Sequence, residues 1–264
     1  MTIESLIDQI STLPRPYDQD AAQRGLESFQ AVAAQLPEHQ AAAGAAARDP
    51  RIASLLDTIF GNSPFLTQTI IRDLPYFLGL VQSPPAAVLQ DILDGLAFAG
   101  GDLAVGRPAT MRTLRLAKAR ASLLIAITDI GGVWPLATLT NALSAVAEAA
   151  ISHAVAALMA EFAARGDFAL PDPLHPEIDS GYVILAMGKL GARELNFSSD
   201  IDLIPLFDPD VAHYTGKKSV QDAFVRLTQG LVHLLQERTA DGYVYRTDLR
   251  LRPDAGATPV AMSV

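Results

Sequence analysis

Two aspartates two residues apart, Asp200 and Asp202, open an apolar run that ends at Phe207. In an extended strand such side chains leave the same face, with α-carbons about 6 to 7 Å apart, so the two carboxylates aim at one point. They repel each other unless a counter-charge lies between them. A divalent cation that favours hard oxygen ligands, magnesium first, resolves the conflict. A third carboxylate, Asp248, stands in a stretch of alternating character. Arg246, Asp248, Arg250 and Arg252 share one parity, and Tyr243, Tyr245, Leu249 and Leu251 the other. Three arginines beside one aspartate in an acidic chain point to an anion such as phosphate, bound next to a metal-holding carboxylate. Gly188, closing an earlier apolar run, lets a phosphate approach the backbone, and Lys189, Ser198 and Ser199 add donors nearby.

These residues need strands to aim them. Tyr182–Met187 is a six-residue apolar run, too short for a buried helix, and predicts a strand covered on both faces. Asp200–Phe207 predicts a second strand. Pro205 within it has no amide hydrogen, which places that strand at an edge or ends it there. Ser219–Arg238 reads as an amphipathic helix with Val220, Phe224, Leu227, Leu231 and Leu234 on one face. Asp241-Gly242 then turns the chain into a third strand, Tyr243–Arg252. Strand, strand, helix, strand predicts helices packed on a small mixed sheet. A strand, Gly188, eleven residues, Asp-x-Asp on a strand, then another aspartate on a later strand is the signature of a nucleotidyltransferase palm of the polymerase-beta-like kind. There carboxylates hold metal ions that orient a nucleotide's phosphates and neutralise charge at phosphorus.

Residues 1–166 read as helix after helix, an all-helical bundle with proline-punctuated links. Thr2 is placed to cap a short first helix bearing Ile3, Leu6, Ile7 and Ile10, and Ser63-Pro64 is a natural cap and first position. Arg112, Arg115 and Lys118 recur every three residues and read as a solvated stripe. His153, in an alanine-rich stripe without a second ligand at metal spacing, reads as a packing residue. Residues 167–181, with Pro171, Pro173 and Pro176, read as a linker, and 182–264 as the palm. The class is α+β.

Composition narrows the partners. The 264 residues are 50% hydrophobic and 19% charged and include no cysteine, which excludes a disordered tail, a disulfide scaffold and a thiolate nucleophile. Lysine plus arginine is 20 against 29 acidic residues, a net charge of −9, which argues against nucleic acid as a partner. Glu4 and Asp8 sit where a signal peptide needs basic residues, so the cytoplasm is expected. Ala121–Leu139 and Ala142–Ala164 are interrupted by Asp129, Gly131, Gly132 and Pro135, and by Glu148, His153 and Glu161, so no membrane is expected.

The run Gly188-Lys189-Leu190-Gly191-Ala192-Arg193-Glu194-Leu195-Asn196-Phe197-Ser198-Ser199-Asp200-Ile201-Asp202-Leu203-Ile204, followed by Asp248-Leu249-Arg250-Leu251-Arg252-Pro253, resembles the bifunctional glutamine synthetase adenylyltransferase/adenylyl-removing enzymes. Phe60-Gly61-Asn62-Ser63-Pro64-Phe65-Leu66 is similar to that family's amino-terminal helical region. The resemblance implies Asp200, Asp202 and Asp248 as catalytic metal carboxylates for Mg2+, with Gly188 and Ser199 in the nucleotide-facing loop. Lys189, Ser198, Arg250 and Arg252 join them as candidates for binding phosphate. Glu194 suits a helix-surface or cap role, and Asn196 a role in fixing the loop. Leu195-Asn196-Phe197-Ser198-Ser199, and the position soon after Met1, look like the amino-terminal half, which removes AMP from a tyrosine of glutamine synthetase by phosphorolysis to give ADP. The same carboxylates serve the reverse sense, in which ATP donates AMP to the tyrosine. The family's polypeptide continues through a further helical bundle and a second palm, so the palm is expected to be incomplete at 264. A fragment that only binds nucleotide or glutamine synthetase is the third reading. The implied partners are glutamine synthetase, ATP or ADP, phosphate, and nitrogen-signalling proteins acting through regions beyond this chain.

Overall fold

The computed structural model describes residues 4–97 and 106–264; Thr2 and Ile3 lie outside them. Helices run in the order α1 Leu6–Gln9, α2 Gln19–Ala34, α3 Pro37–Arg48, α4 Pro50–Asn62, α5 Pro64–Arg72, α6 Leu74–Gln82, α7 Pro85–Leu96, α8 Gly106–Ile130 and α9 Leu136–Ala164. After them come β1 Tyr182–Met187, α10 Gly188–Gly191, β2 Ile201–Phe207, α11 Val220–Gln236, β3 Thr247–Asp248 and β4 Met262–Ser263. The starts follow local chemistry. Asp18 accepts from the amide of Ala21, Asp49 from Arg51 and Ser63 from Leu66. Pro37, Pro50 and Pro64 fill first positions whose missing amide hydrogen breaks no helical bond.

The chain forms two compact units: Met1–Asp91 with Ala119–Leu139, and Ile92–Lys118 with Thr140–Val264. The first is wholly helical among its described residues, and its core holds Phe29 against Phe60 and Phe77, ring centroids 6.4 and 6.1 Å apart. Inside it Tyr76 donates to the carbonyl of Arg120, whose guanidinium pairs with Asp73 at 2.7 Å.

In the second unit, β2 is central. It pairs antiparallel with β1 (Met187 opposite Asp202) and parallel with β3 (Asp202 opposite Asp248) and β4 (Leu206 opposite Met262). The mixed sheet and the α+β class are therefore as the sequence predicts. Phe224 of α11 stacks on Tyr182 and Phe207, and Ile201, Leu203, Leu227 and Leu231 are buried. Helix α9 is long and apolar enough to cross a membrane by length and composition, yet 72% of its most apolar window is buried inside the fold, as in a core helix. His153 on α9 is buried with Nδ1 3.0 Å from the carbonyl of Leu96, the packing role expected.

Four expectations change. Pro205 neither ends β2 nor marks an edge. The ladders to β3 and β4 use residues 201–202 and 206–207, so Pro205 falls in the interval where a missing amide hydrogen breaks no bond on that side. β1 is not covered on both faces, because Val183, Leu185 and Met187 are exposed. The third strand has only two ladder residues. The Asp248 carboxylate takes the amide of Arg250, and Arg252 donates to the carbonyls of Leu249, Ala255 and Thr258, so the segment turns after 248.

The solvated stripe on α8 holds at Arg112, which is exposed, and fails at Arg115 and Lys118. Arg115 is 1% exposed and donates to the carbonyls of Met111, Leu234, Glu237 and Gly242. Lys118 lies with Nζ 5.0 Å from the centroid of the Tyr245 ring.

Burial lowers the Lys118 ammonium to about 8 and pushes the hydroxyls of Tyr76, Tyr182 and Tyr245 well above the ordinary phenol value. Between about 8 and the ordinary lysine value of 10.5 the unfolded chain binds more protons, so Lys118 makes stability rise with pH there. Above the ordinary tyrosine value of 10.0 the folded chain retains phenolic protons that the unfolded chain releases, and stability falls. Denaturant titrations from neutral to strongly alkaline pH are expected to peak at about pH 10, with Lys118→Met losing the rising limb alone.

Candidate active site

Gly188 stands where β1 ends, with φ +55°. A β-carbon built there would lie 2.6 Å from Oδ2 of Asp202, so glycine serves both the left-handed turn and the approach of that carboxylate. Gly191 closes the short α10, where a β-carbon would collide with the carbonyl of Ala186. The exposed loop that follows is pinned by Leu190 and Leu195, each 1% exposed, and by the amide of Leu195 donating to Ser144 Oγ. Arg193 pairs with Glu148 at 2.8 Å. Ser198 takes φ +59° immediately before Ser199 and Asp200, and the amide of Ser199 donates to the carbonyl of Asn196. A non-glycine residue in that region is sparsely populated and collects at functional sites.

Asp202 and Asp248 are cross-strand partners on adjacent parallel strands, which puts their side chains next to each other on one sheet face. Asp200, one step before β2, is turned to Arg246, whose Nε donates to its Oδ1 at 2.5 Å. The same guanidinium donates to the carbonyl of Ser198 at 2.6 Å and to the Tyr243 hydroxyl at 3.0 Å. Arg250 holds Asp248 through Nε and Nη2, with 2.5 Å between Nη2 and Oδ2. Those bonds, first of all, hold the Asp248 carboxyl below the ordinary aspartate range. The Arg250 guanidinium is raised in turn by Asp248, and further by the charges of Asp202 and Asp200. The bonds of Arg250 go to Asp248 alone, as those of Arg246 go to Asp200 among the three carboxylates.

Among the described residues no three acidic or histidine side chains stand close enough to hold a metal ion as they are. Arg246 grips Asp200 and Arg250 grips Asp248. Carboxylate oxygens are donors of the kind a hard divalent cation takes, and Asp202 and Asp248 are paired in register.

Of the remaining expected residues, Lys189 and Ser198 are exposed and Ser199 is half-buried beside them. Glu194 is exposed, its amide donating to the carbonyl of Lys189. Arg252 is drawn away from the carboxylates, its guanidinium capping the 249–258 loop. Arg246, which holds Asp200 and the carbonyl of Ser198, is the side chain that sequence reasoning left out of the binding set, although its parity with Asp248 was visible.

The family model described as glutamate-ammonia ligase adenylyltransferase matches residues 53–264. The chain belongs to that family. A bifunctional glutamine synthetase adenylyltransferase/adenylyl-removing enzyme of Bradyrhizobium sp. (strain ORS 278) is 47% identical over 80% of this chain and 21% of its own length. A Rhodopseudomonas palustris protein of the same description is 42% identical over 95% of this chain and 25% of its own, and one from Brucella suis 41% identical over 81% and 22%. The chain therefore spans about a fifth to a quarter of the length of these curated relatives. Within the adenylyltransferase family match lie Gly188, the Asp200–Asp202 pair and Asp248.

Gly188→Ala is expected to cost about 1–2 kcal/mol in stability from the left-handed backbone alone. The added methyl also displaces the Asp202 carboxylate. Urea titration checks the cost.

Proposed function

We propose that this adenylyltransferase-family chain acts on glutamine synthetase as an adenylyl-removing enzyme, and that the cross-strand pair Asp202–Asp248 against the Gly188 corner is its reaction centre. The in-register placement of those carboxylates carries the reading. The loop wording Leu195-Asn196-Phe197-Ser198-Ser199 favours the removing direction. An oxygen of inorganic phosphate forms a bond to the phosphorus of the AMP-tyrosine linkage, the tyrosine oxygen–phosphorus bond breaks, and ADP leaves. The phosphate's proton passes to the tyrosine oxygen, restoring the hydroxyl.

Asp202 and Asp248, joined by Asp200 when its pair with Arg246 opens, would hold a magnesium ion, which supplies charge neutralisation at the phosphorus centre. The chain's own residues orient the reactants. Gly188 gives the phosphate access to main chain, and Lys189, Ser198 and Ser199 line the approach. Arg250 and Arg246, forks suited to phosphate oxygens, exchange a carboxylate for the incoming anion.

The test is incubation of the chain with adenylylated glutamine synthetase, inorganic phosphate and magnesium, with ADP as the expected product. Product formed only from unmodified synthetase plus ATP overturns the direction. Nucleotide binding without any product in either mixture leaves a binding module and overturns catalysis.

A further inference from the structure

β3 is two residues long, a thin ladder for a strand that must set one carboxylate beside another. Its support comes from the end of α11. The carbonyl of Leu235 accepts from the amides of Val244 and Tyr245, at 2.9 and 3.1 Å. One residue further on, the side-chain amide of Gln236 donates to both the carbonyl and Oγ1 of Thr247, at 2.9 and 2.8 Å. Thr247 and Asp248 are the whole of β3. The α11 terminus is itself fixed, because the buried Arg115 donates to the carbonyls of Leu234 and Glu237 on either side of Gln236. Terminal carbonyls of a helix need outside donors; here they find them in Arg115 and in the chain entering β3.

From this we infer that Gln236 is a positioning residue: its amide clamps Thr247 and so keeps Asp248 in register with Asp202. No other side-chain donor contacts Thr247 among the hydrogen bonds of the described residues. The inference deepens the proposed reaction centre, and its functional part rests on that reading. Gln236 touches neither carboxylate. Its effect is exerted through the carbonyl and hydroxyl of Thr247 and is distinct from that of Arg246 and Arg250, which grip the carboxylates themselves.

Hydrogen–deuterium exchange on the full chain reads the clamp without any metal. With Gln236→Met, which keeps the length and removes the donors, amides of residues 246–250 are expected to exchange roughly tenfold faster, while those of β1 and of residues 224–234 stay as in the parent. Unchanged exchange at 246–250 overturns the inference. Mn2+ titrated into each protein and followed by loss of its free paramagnetic resonance signal gives the second readout. Gln236→Met is expected to weaken binding several-fold, with Asp248→Asn weakening it more; parent-like Mn2+ affinity in Gln236→Met beside a weakened Asp248→Asn overturns the functional part. If Asp248→Asn binds Mn2+ as the parent does, the carboxylate centre is what fails, and the exchange pattern still decides the clamp. Should Gln236→Met fold poorly, Thr247→Val removes the hydroxyl contact alone and is expected to show the same local pattern at smaller size; parent-like exchange in Thr247→Val then overturns the inference.

Discussion

Asp202→Asn is expected to lower AMP-transfer turnover by at least about a thousandfold, roughly 4 kcal/mol of barrier, while leaving the fold intact or slightly firmer. Asp202 lies opposite Asp248, so two like charges face each other across the ladder. Neutralising Asp202 relieves that repulsion and leaves no cation stranded, because Arg250 stays on Asp248 and Arg246 on Asp200. A melting temperature unchanged or raised by a few degrees, together with lost turnover, is the mark of a group kept for chemistry at some expense of stability. Turnover within tenfold of the parent would remove Asp202 from the reaction centre. A steep fall in melting temperature would recast it as a packing residue.

Arg115→Met is the counterpart, large in stability. Arg115 is 1% exposed, and its guanidinium serves four main-chain carbonyls, three of them at the end of α11 and in the turn that follows. Burial lowers its proton affinity, and the charges of Asp241 and Glu237 oppose that. Methionine preserves the stem but takes the guanidinium donors from Leu234 and Glu237, while the carbonyl of Gly242 keeps the amide of Thr239. The expected cost is about 3–5 kcal/mol in unfolding free energy, read as a drop in urea midpoint. Arg115→Lys keeps the charge and loses the fork, with about half that cost expected. A change under about 1 kcal/mol for Arg115→Met would mean that water satisfies the α11 end.

These two residues show what a one-dimensional reading reaches. Tyr182–Met187 is bounded on both sides by glycines in left-handed conformations, Gly181 and Gly188, so its limits as a strand were legible to the residue. The strand bearing Asp202 was legible to within one residue because alternation is a local property, though Asp200 falls one step before it and is held by Arg246. Arg115 was not. Its spacing with Arg112 and Lys118 describes a helix stripe, but what the stripe faces is decided by carbonyls more than a hundred residues away. Arg250 and Arg252 misled in a different manner. Alternation suggested a strand to Arg252, whereas the Asp248 carboxylate takes the amide of Arg250 and the Arg252 guanidinium holds the carbonyl of Leu249, a competition between side chain and ladder that pattern alone does not register. Gln236, at the end of an amphipathic helix, carried no signal at all.

The outer face of the sheet has one more bearing on the reaction. Val183 and Leu185 are partnered with Leu206 and Ile204, and Met187 with Asp202, so hydrocarbon borders Asp202 on its β1 flank. Matter of low polarisability on that flank leaves a charge there poorly shielded, and its field reaches further than it would over open water. Ionic strength will therefore blunt that field less than the field of ordinary surface charge pairs, whose influence fades within a Debye length of about 8 Å at physiological salt.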